Sequence, residues 1–192
     1  MFSFDDLSFR YRDYLFEGYS DVIADAKIGV IGKNGCGKTT LLRLLDQQLC
    51  PQAGRVEVGG TTYLVDFELR RYRSFTPADM IDLCRPLRSF DASRVDAHVR
   101  GLQLEDYLHI PIGELSQGTA KKVSLLMGLM SVADVLLVDE PFESIDAESN
   151  ENLIHVLRDH RRGLVVVSHD LAHLERTVDV IYRVQDRRLV RA

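Results

Sequence analysis

Three short runs of the chain are apolar almost without interruption: Ile28-Gly29-Val30-Ile31, Val135-Leu136-Leu137-Val138 and Leu164-Val165-Val166-Val167. Each is too short for a helix and apolar on both faces, which predicts strands buried inside a parallel sheet. Between the second and third, a helical pattern over residues 148–158 puts Leu153, Ile154 and Leu157 on one side. Strand, helix, strand in this order predicts an α/β core. The opening segment differs. Phe2, Phe4, Leu7, Phe9 and Tyr11 are mixed with polar residues, and Val56, Val58, Tyr63 and Val65 alternate around Gly59-Gly60. These predict antiparallel strands with one exposed face, the second group as a hairpin with a tight turn. From Thr76 to Met130 the period becomes helical. Thr76 is the expected cap of one helix, with Pro77 in its first turn, and Ser116 caps another that runs to Met130.

The length, 192 residues, suits one domain or one core with a small appended subdomain. A hydrophobic content of 45% with 28% charged residues is that of a packed protein and excludes disorder and collagen-like order. Lys and Arg number 24 against 29 Asp and Glu, a net charge of -5, which argues against a general nucleic-acid binder. The basic clusters Arg70-Arg71-Arg73 and Arg187-Arg188 are read as solvated faces. Cys36, Cys50 and Cys84 are too few and too irregular for a disulfide frame or zinc site, so a reducing compartment is expected. No stretch reaches the roughly 18–20 uninterrupted apolar residues of a bilayer span. The first six residues lack the basic start and apolar core of a signal peptide.

The chemistry begins at Gly32-Lys33-Asn34-Gly35-Cys36-Gly37-Lys38-Thr39, which fits the P-loop pattern between a strand and an apolar-faced helix carrying Leu41, Leu42, Leu44, Leu45 and Leu49. Glycines let successive backbone N–H groups curl around phosphate oxygens, and the helix N-terminus adds its positive dipole end. Lys38 supplies a charge to the β- and γ-phosphates and Thr39 a hydroxyl to Mg²⁺. Cys36 is a filler within the loop. The second buried strand ends in Asp139-Glu140. Open α/β sheets bind ligands at the carboxyl ends of their strands. There Asp139 is expected to hold Mg²⁺ and Glu140 to orient or deprotonate the attacking water. The third strand ends in Ser168-His169, placing an imidazole where it can hydrogen-bond a γ-phosphate. His169 and His173 are four apart but lack the acidic neighbour of a zinc-helix motif, and His98, His109, His155 and His160 carry no expected chemistry.

Taken in order, the P-loop, Leu115-Ser116-Gln117-Gly118-Thr119, Val135 to Pro141, Glu143-Ser144-Ile145-Asp146 and Ser168-His169-Asp170 resemble the ATP-binding subunit of ABC (ATP-binding cassette) transporters over nearly the whole chain. Leu115-Ser116-Gln117-Gly118 is similar to the family's L-S-x-G signature, with Gln117 and Thr119 as variants. The resemblance implies an α/β fold: a P-loop NTPase (RecA-like) core with a small antiparallel β subdomain (1–70 and 131–192) and an α-helical subdomain (about 71–130). It implies ATP and Mg²⁺ as cofactors and a head-to-tail homodimer. One copy would offer its P-loop with Thr40, and the other Ser116, Gln117 and Gly118. Tyr11, with Phe9 as the alternative, falls where the family stacks an aromatic on adenine. Asp146 matches the loop that touches the second subunit. Asp66 stands where the family has a Mg²⁺-ligating Gln; an ionised carboxylate ligates but cannot donate a hydrogen bond.

The implied function is hydrolysis of ATP to power a polytopic transmembrane permease, with the cassette cytoplasmic and peripheral on the cytoplasmic membrane face. The helical region would dock on that partner. The signature variant and compact build lean towards export, and no nucleic-acid partner or regulatory domain is expected. The alternative is an ABC-type ATPase acting on ribosomes or DNA, whose members usually carry two cassettes or a long coiled-coil insertion.

Overall fold

The structure, a computed structural model, describes residues 1–192 apart from the side chain of Arg70. In chain order its first half runs β1 (Phe2–Arg10), β2 (Tyr14–Ile23), β3 (Lys27–Ile31), α1 (Lys38–Leu45), β4 (Ala53–Val58), β5 (Thr62–Leu64), α2 (Pro77–Cys84) and α3 (Val95–Gly101). The second half runs α4 (Gln117–Met130), β6 (Val135–Asp139), α5 (Ala147–Arg158), β7 (Gly163–Val167), α6 (Leu171–Thr177), β8 (Val180–Gln185) and β9 (Arg188–Arg191). Short 3-10 turns link the helices between residues 69 and 114.

The three apolar runs become β3, β6 and β7, neighbours in a six-stranded sheet of order β5-β6-β7-β3-β8-β9. All pairings are parallel except that of β9 on β8. Side chains alternate across a strand, so each run feeds two cores. Val135 and Leu137, with Val165 and Val167, join Ile28, Val30 and the leucines of α1 on one face. Leu136 and Val138, with Leu164 and Val166, pack on the other with Leu126 of α4, Leu153 of α5 and Leu174 of α6. Because the strands are parallel, β3, β6 and β7 end along one edge, and the loops that follow them meet there.

The opening segment forms a three-stranded antiparallel sheet, β2-β1-β4, whose Phe2, Phe4, Leu7 and Phe16 cover the α1 side. The hairpin expected around Gly59-Gly60 is not formed. β4 pairs with β1 (Phe2↔Val58), whereas β5 leaves that sheet and pairs parallel with β6 (Thr62↔Val135). The cause is a contact from far along the chain. The Asp134 carboxylate accepts from the Thr61 backbone N–H at 2.8 Å and its hydroxyl at 2.9 Å, steering the strand onto the β6 edge. Leu49 also departs from expectation: α1 stops at Leu45, and Leu49 packs half-buried beyond its end. Thr76 caps α2 and Ser116 caps α4, as the sequence predicts, and Asp79 completes a reciprocal capping box with Thr76. Arg71, Arg73, Arg187 and Arg188 are exposed; the Arg70 side chain lies outside the described residues.

His160, between α5 and β7, is 6% exposed, and its Nε2 has no hydrogen-bond partner. Burial, together with Lys27, His98, Arg162 and Arg94 nearby, pushes its imidazole from 6.5 down to about 4. Between those values the unfolded chain binds the extra proton. Stability is therefore full above pH 6.5 and falls as the pH drops towards 4, by up to about 3 kcal/mol. Urea melts across this window are expected to show the loss, and a His160→Gln variant to flatten it.

Candidate nucleotide site

β3 ends at Ile31, and the chain curls through residues 32–37 before α1 begins at Lys38. Gly37 sits at φ 107, a left-handed conformation that favours glycine, and a Cβ there would also crowd Leu15 Cβ at 3.2 Å. Cys36 N donates to Lys33 O at 3.2 Å and tightens the loop. No side chain caps α1 and no acid lies in its first turn, which leaves the first N–H groups free for an anion. The Lys38 ammonium, on a residue 8% exposed, donates to Gly32 O at 3.0 Å and Lys33 O at 3.4 Å. Its positive charge thereby lies along the inside of the curl.

Thr39 donates its hydroxyl to Asp139 Oδ2 at 2.6 Å, joining the start of α1 to the end of β6. A hydroxyl and a carboxylate side by side form the all-oxygen donor set of a hard divalent cation such as Mg²⁺, so these two residues fit that ion. Glu140 follows at φ 47, a left-handed conformation costly for a non-glycine residue. It is fixed there because its N–H donates to Val167 O at 2.8 Å. Its Oε2 accepts from His169 N at 3.1 Å and contacts His169 Nδ1 at 3.0 Å, while Oε1 lies 4.0 Å from Lys38 Nζ. The carboxylate is thus aimed between the loop and the end of β7.

A cavity of about 680 Å³ collects much of the expected set: Tyr11, Asn34, Gly35, Gly37, Lys38, Thr39, Thr40, Asp139 and Glu140 line it, and so does Gln117, which the resemblance places with Ser116 and Gly118 on the half offered to the other copy. Tyr11, 63% exposed, stands at its edge, whereas Phe9 is buried in the core and braces the Tyr11 ring edge-on at 5.2 Å. Gly32, Lys33, Cys36 and His169 line a neighbouring cavity on the other side of the loop. Ser116 and Gly118 are elsewhere. They open onto a third, polar cavity of about 500 Å³ with Tyr107, Lys122, Asp146 and Ser149. A Cβ on Gly118 would come within 2.6 Å of Ser144 O, so only glycine lets the start of α4 lie against that loop. Asp66 is not beside Thr39 and Asp139. It is exposed, accepts from Glu68 N at 2.8 Å and lines a separate groove with Tyr72 and Met80. The next residue, Phe67, faces the nucleotide cavity in its place. His173 stacks on Phe142 at 4.7 Å and lies 3.2 Å from Asp170, so it shares no site with His169.

Leu15, Phe67 and Lys121 are the cavity residues that the sequence did not single out. For Phe67, which lies beyond the end of β5, there was no local signal. For Lys121 the signal was a place one turn beyond Gln117 on the same helix.

A glycine-rich loop between strand and helix, a buried lysine folded over it, and a Thr–Asp pair at the strand ends define a P-loop nucleotide-binding protein. The model of the ABC transporter family matches residues 20–143, and the chain belongs to that family as an ATP-binding cassette. It is 28% identical over 193 residues to the ATP-binding protein Uup of Haemophilus influenzae, covering 95% of this chain and 29% of Uup. It is 32% identical over 170 residues to the ribosome protection protein VmlR of Bacillus subtilis, covering 85% of this chain and 27% of VmlR. The chain thus spans less than a third of either relative. Its fold matches the dimeric, post-hydrolysis ATP-binding cassette MJ0796 bound to ADP and Pi, with a TM-score of 0.83 at 18% identity, over 98% of this chain and 96% of that one.

Proposed function

We propose that the cassette hydrolyses ATP at a site completed head to tail by a second copy, and that closure and release of this pair drive a membrane permease. The observation that carries the reading is the separation of two half-sites in one chain. The P-loop opens onto one cavity and the Ser116 helix end onto another. A two-fold axis sets each half against its complement, so two copies make two complete sites. In such a pair the loop amides and Lys38 hold the phosphates, and Tyr11 stacks on the base. Thr39 and Asp139 would hold Mg²⁺, which when bound neutralises charge developing between the β- and γ-phosphates. Glu140 takes the proton of the attacking water, with His169 fixing its carboxylate. Ser116 and the first amides of α4 meet the γ-phosphate from the opposite side.

The permease half of the reading rests on the helical segment, residues 71–130. At the groove that holds Asp66, Tyr72 is 42% and Leu87 51% exposed, a rim suited to an apolar partner element, and Leu83, 57% exposed, lines a separate groove with Phe75. No helix among the described residues is long and apolar enough to cross a membrane. The second reading, action on ribosomes, is favoured by the likeness to a ribosome protection protein. Affinity capture of the tagged chain from solubilised membranes decides between them. Retention of a polytopic membrane protein is expected, and co-sedimentation with ribosomes in its place would transfer the function to the second reading.

A further inference from the structure

Lys121 is a cation that the P-loop chemistry does not use. It lies five residues beyond Ser116 on α4, about 7–8 Å along the helix axis. Its side chain runs into the nucleotide cavity and passes over the Phe67 ring, with Nζ 4.9 Å from the centroid. There the ammonium donates to two backbone carbonyls of the turn that follows β6, Glu140 O and Glu143 O, the second at 3.0 Å. The turn holds Glu140 at φ 47 and Ser144 at φ 63, two left-handed residues that do not persist unless neighbours fix them. Asp139, Glu140 and Glu143 surround the ammonium and favour its charge, while burial opposes it and is the larger influence. An ammonium that gives up water here is compensated by strong charge-assisted hydrogen bonds.

Resting on the hydrolysis reading above, we propose that Lys121 is a positioning residue that ties the signature end of α4 to the catalytic glutamate of the same subunit. One rigid helix then carries two functions. Its N-terminus, with Ser116, reads the γ-phosphate held by the second copy. Lys121, one turn further, holds the backbone from which Glu140 projects into its own site. A displacement of α4 on engaging one nucleotide moves the Glu140 turn at the other. The two sites of the pair therefore turn over in concert, and the link passes through a side chain that need not touch nucleotide.

Lys121→Met keeps the length and removes the charge, Lys121→Gln keeps one donor, and Lys121→Arg keeps cation and donors. In steady-state hydrolysis Lys121→Met is expected to lose about tenfold or more in kcat, with KM for ATP within about twofold and the Hill coefficient falling towards 1. Lys121→Arg is expected to recover most of both. A Met variant with wild-type kcat and cooperativity, or an Arg variant as impaired as Met, overturns the proposal. Amide hydrogen exchange of the nucleotide-free protein tests the same link without turnover. Lys121→Met should speed exchange across residues 140–144 and leave the β3 and β7 amides unchanged, and unaltered exchange in the turn overturns the positioning role. Should the Met variant fail to fold, Lys121→Gln, which loses the charge and part of the donor capacity, is expected to give smaller changes in the same direction, and unaltered kcat, cooperativity and exchange in it overturn the proposal. A wild-type protein without ATPase activity would count against the hydrolysis reading alone, since the exchange experiment still decides the link.

Discussion

Glu140→Gln lowers steady-state ATP hydrolysis by roughly 10²–10⁴-fold, the usual contribution of a general base. The substitution retains size and the ability to accept from His169 N, now 3.1 Å from Oε2, so the turn after β6 keeps its shape. What it removes is a carboxylate able to take a proton from water. Phosphate binding rests on Lys38 and the loop amides and is unaffected, so ATP should remain bound between two copies. The measurable pair of results is a loss of phosphate release and an ATP-dependent shift from monomer to dimer in size-exclusion chromatography. Hydrolysis that survives the substitution removes Glu140 from the role of base. A variant that stays monomeric with saturating ATP counts against a nucleotide clasped by two copies.

The groups that act before binding partners arrive were legible because each rests on local chemistry. β3, β6 and β7 are apolar on both faces, a pattern that has no other home than the middle of a covered sheet. The P-loop is written contiguously, and Asp139 and Glu140 follow from where β6 must end. The fate of residues 59–65 was not legible. Alternating residues suit a hairpin and a sheet-changing connection equally, and the choice is made by Asp134, 73 residues beyond Thr61. The same non-local decision accounts for Asp66 and Phe67. Once Tyr63 and Leu64 lie against Leu136 and Leu137, the chain leaves β5 with Phe67 at the cavity and Asp66 outside it. Lys121 was hidden for a different reason. Helical periodicity marks the buried stripe of α4, whereas a charged residue beside that stripe looks like any solvated lysine until the carbonyls it serves are seen.

Two inactive proteins are expected to become active on mixing. Lys38→Ala removes the charge from the P-loop half, and Ser116→Arg fills the helix-end half, so a homodimer of either has no complete site. Ser116 is exposed, and the lost cap costs about 1 kcal/mol, too little to unfold a domain of this size. In an equal mixture with exchange, half the dimers are mixed. Each of these has one intact site, with Lys38 from the Ser116→Arg copy and Ser116 from the Lys38→Ala copy. Activity should return to at most roughly a quarter of wild type, the value reached if the one intact site of each mixed dimer works at full rate. The double variant in one chain gives the converse. Mixed with an equal amount of wild type it contributes no half that completes a site, since each wild-type half then faces a damaged one. Activity should fall to roughly a quarter of that of all-wild-type protein at the same total concentration. A site contained within one chain reverses both results: the single variants never complement, and the wild-type copies keep their full half share. Lys38 and Ser116 line different cavities of the same polypeptide, which is the arrangement the mixing experiment puts to the test.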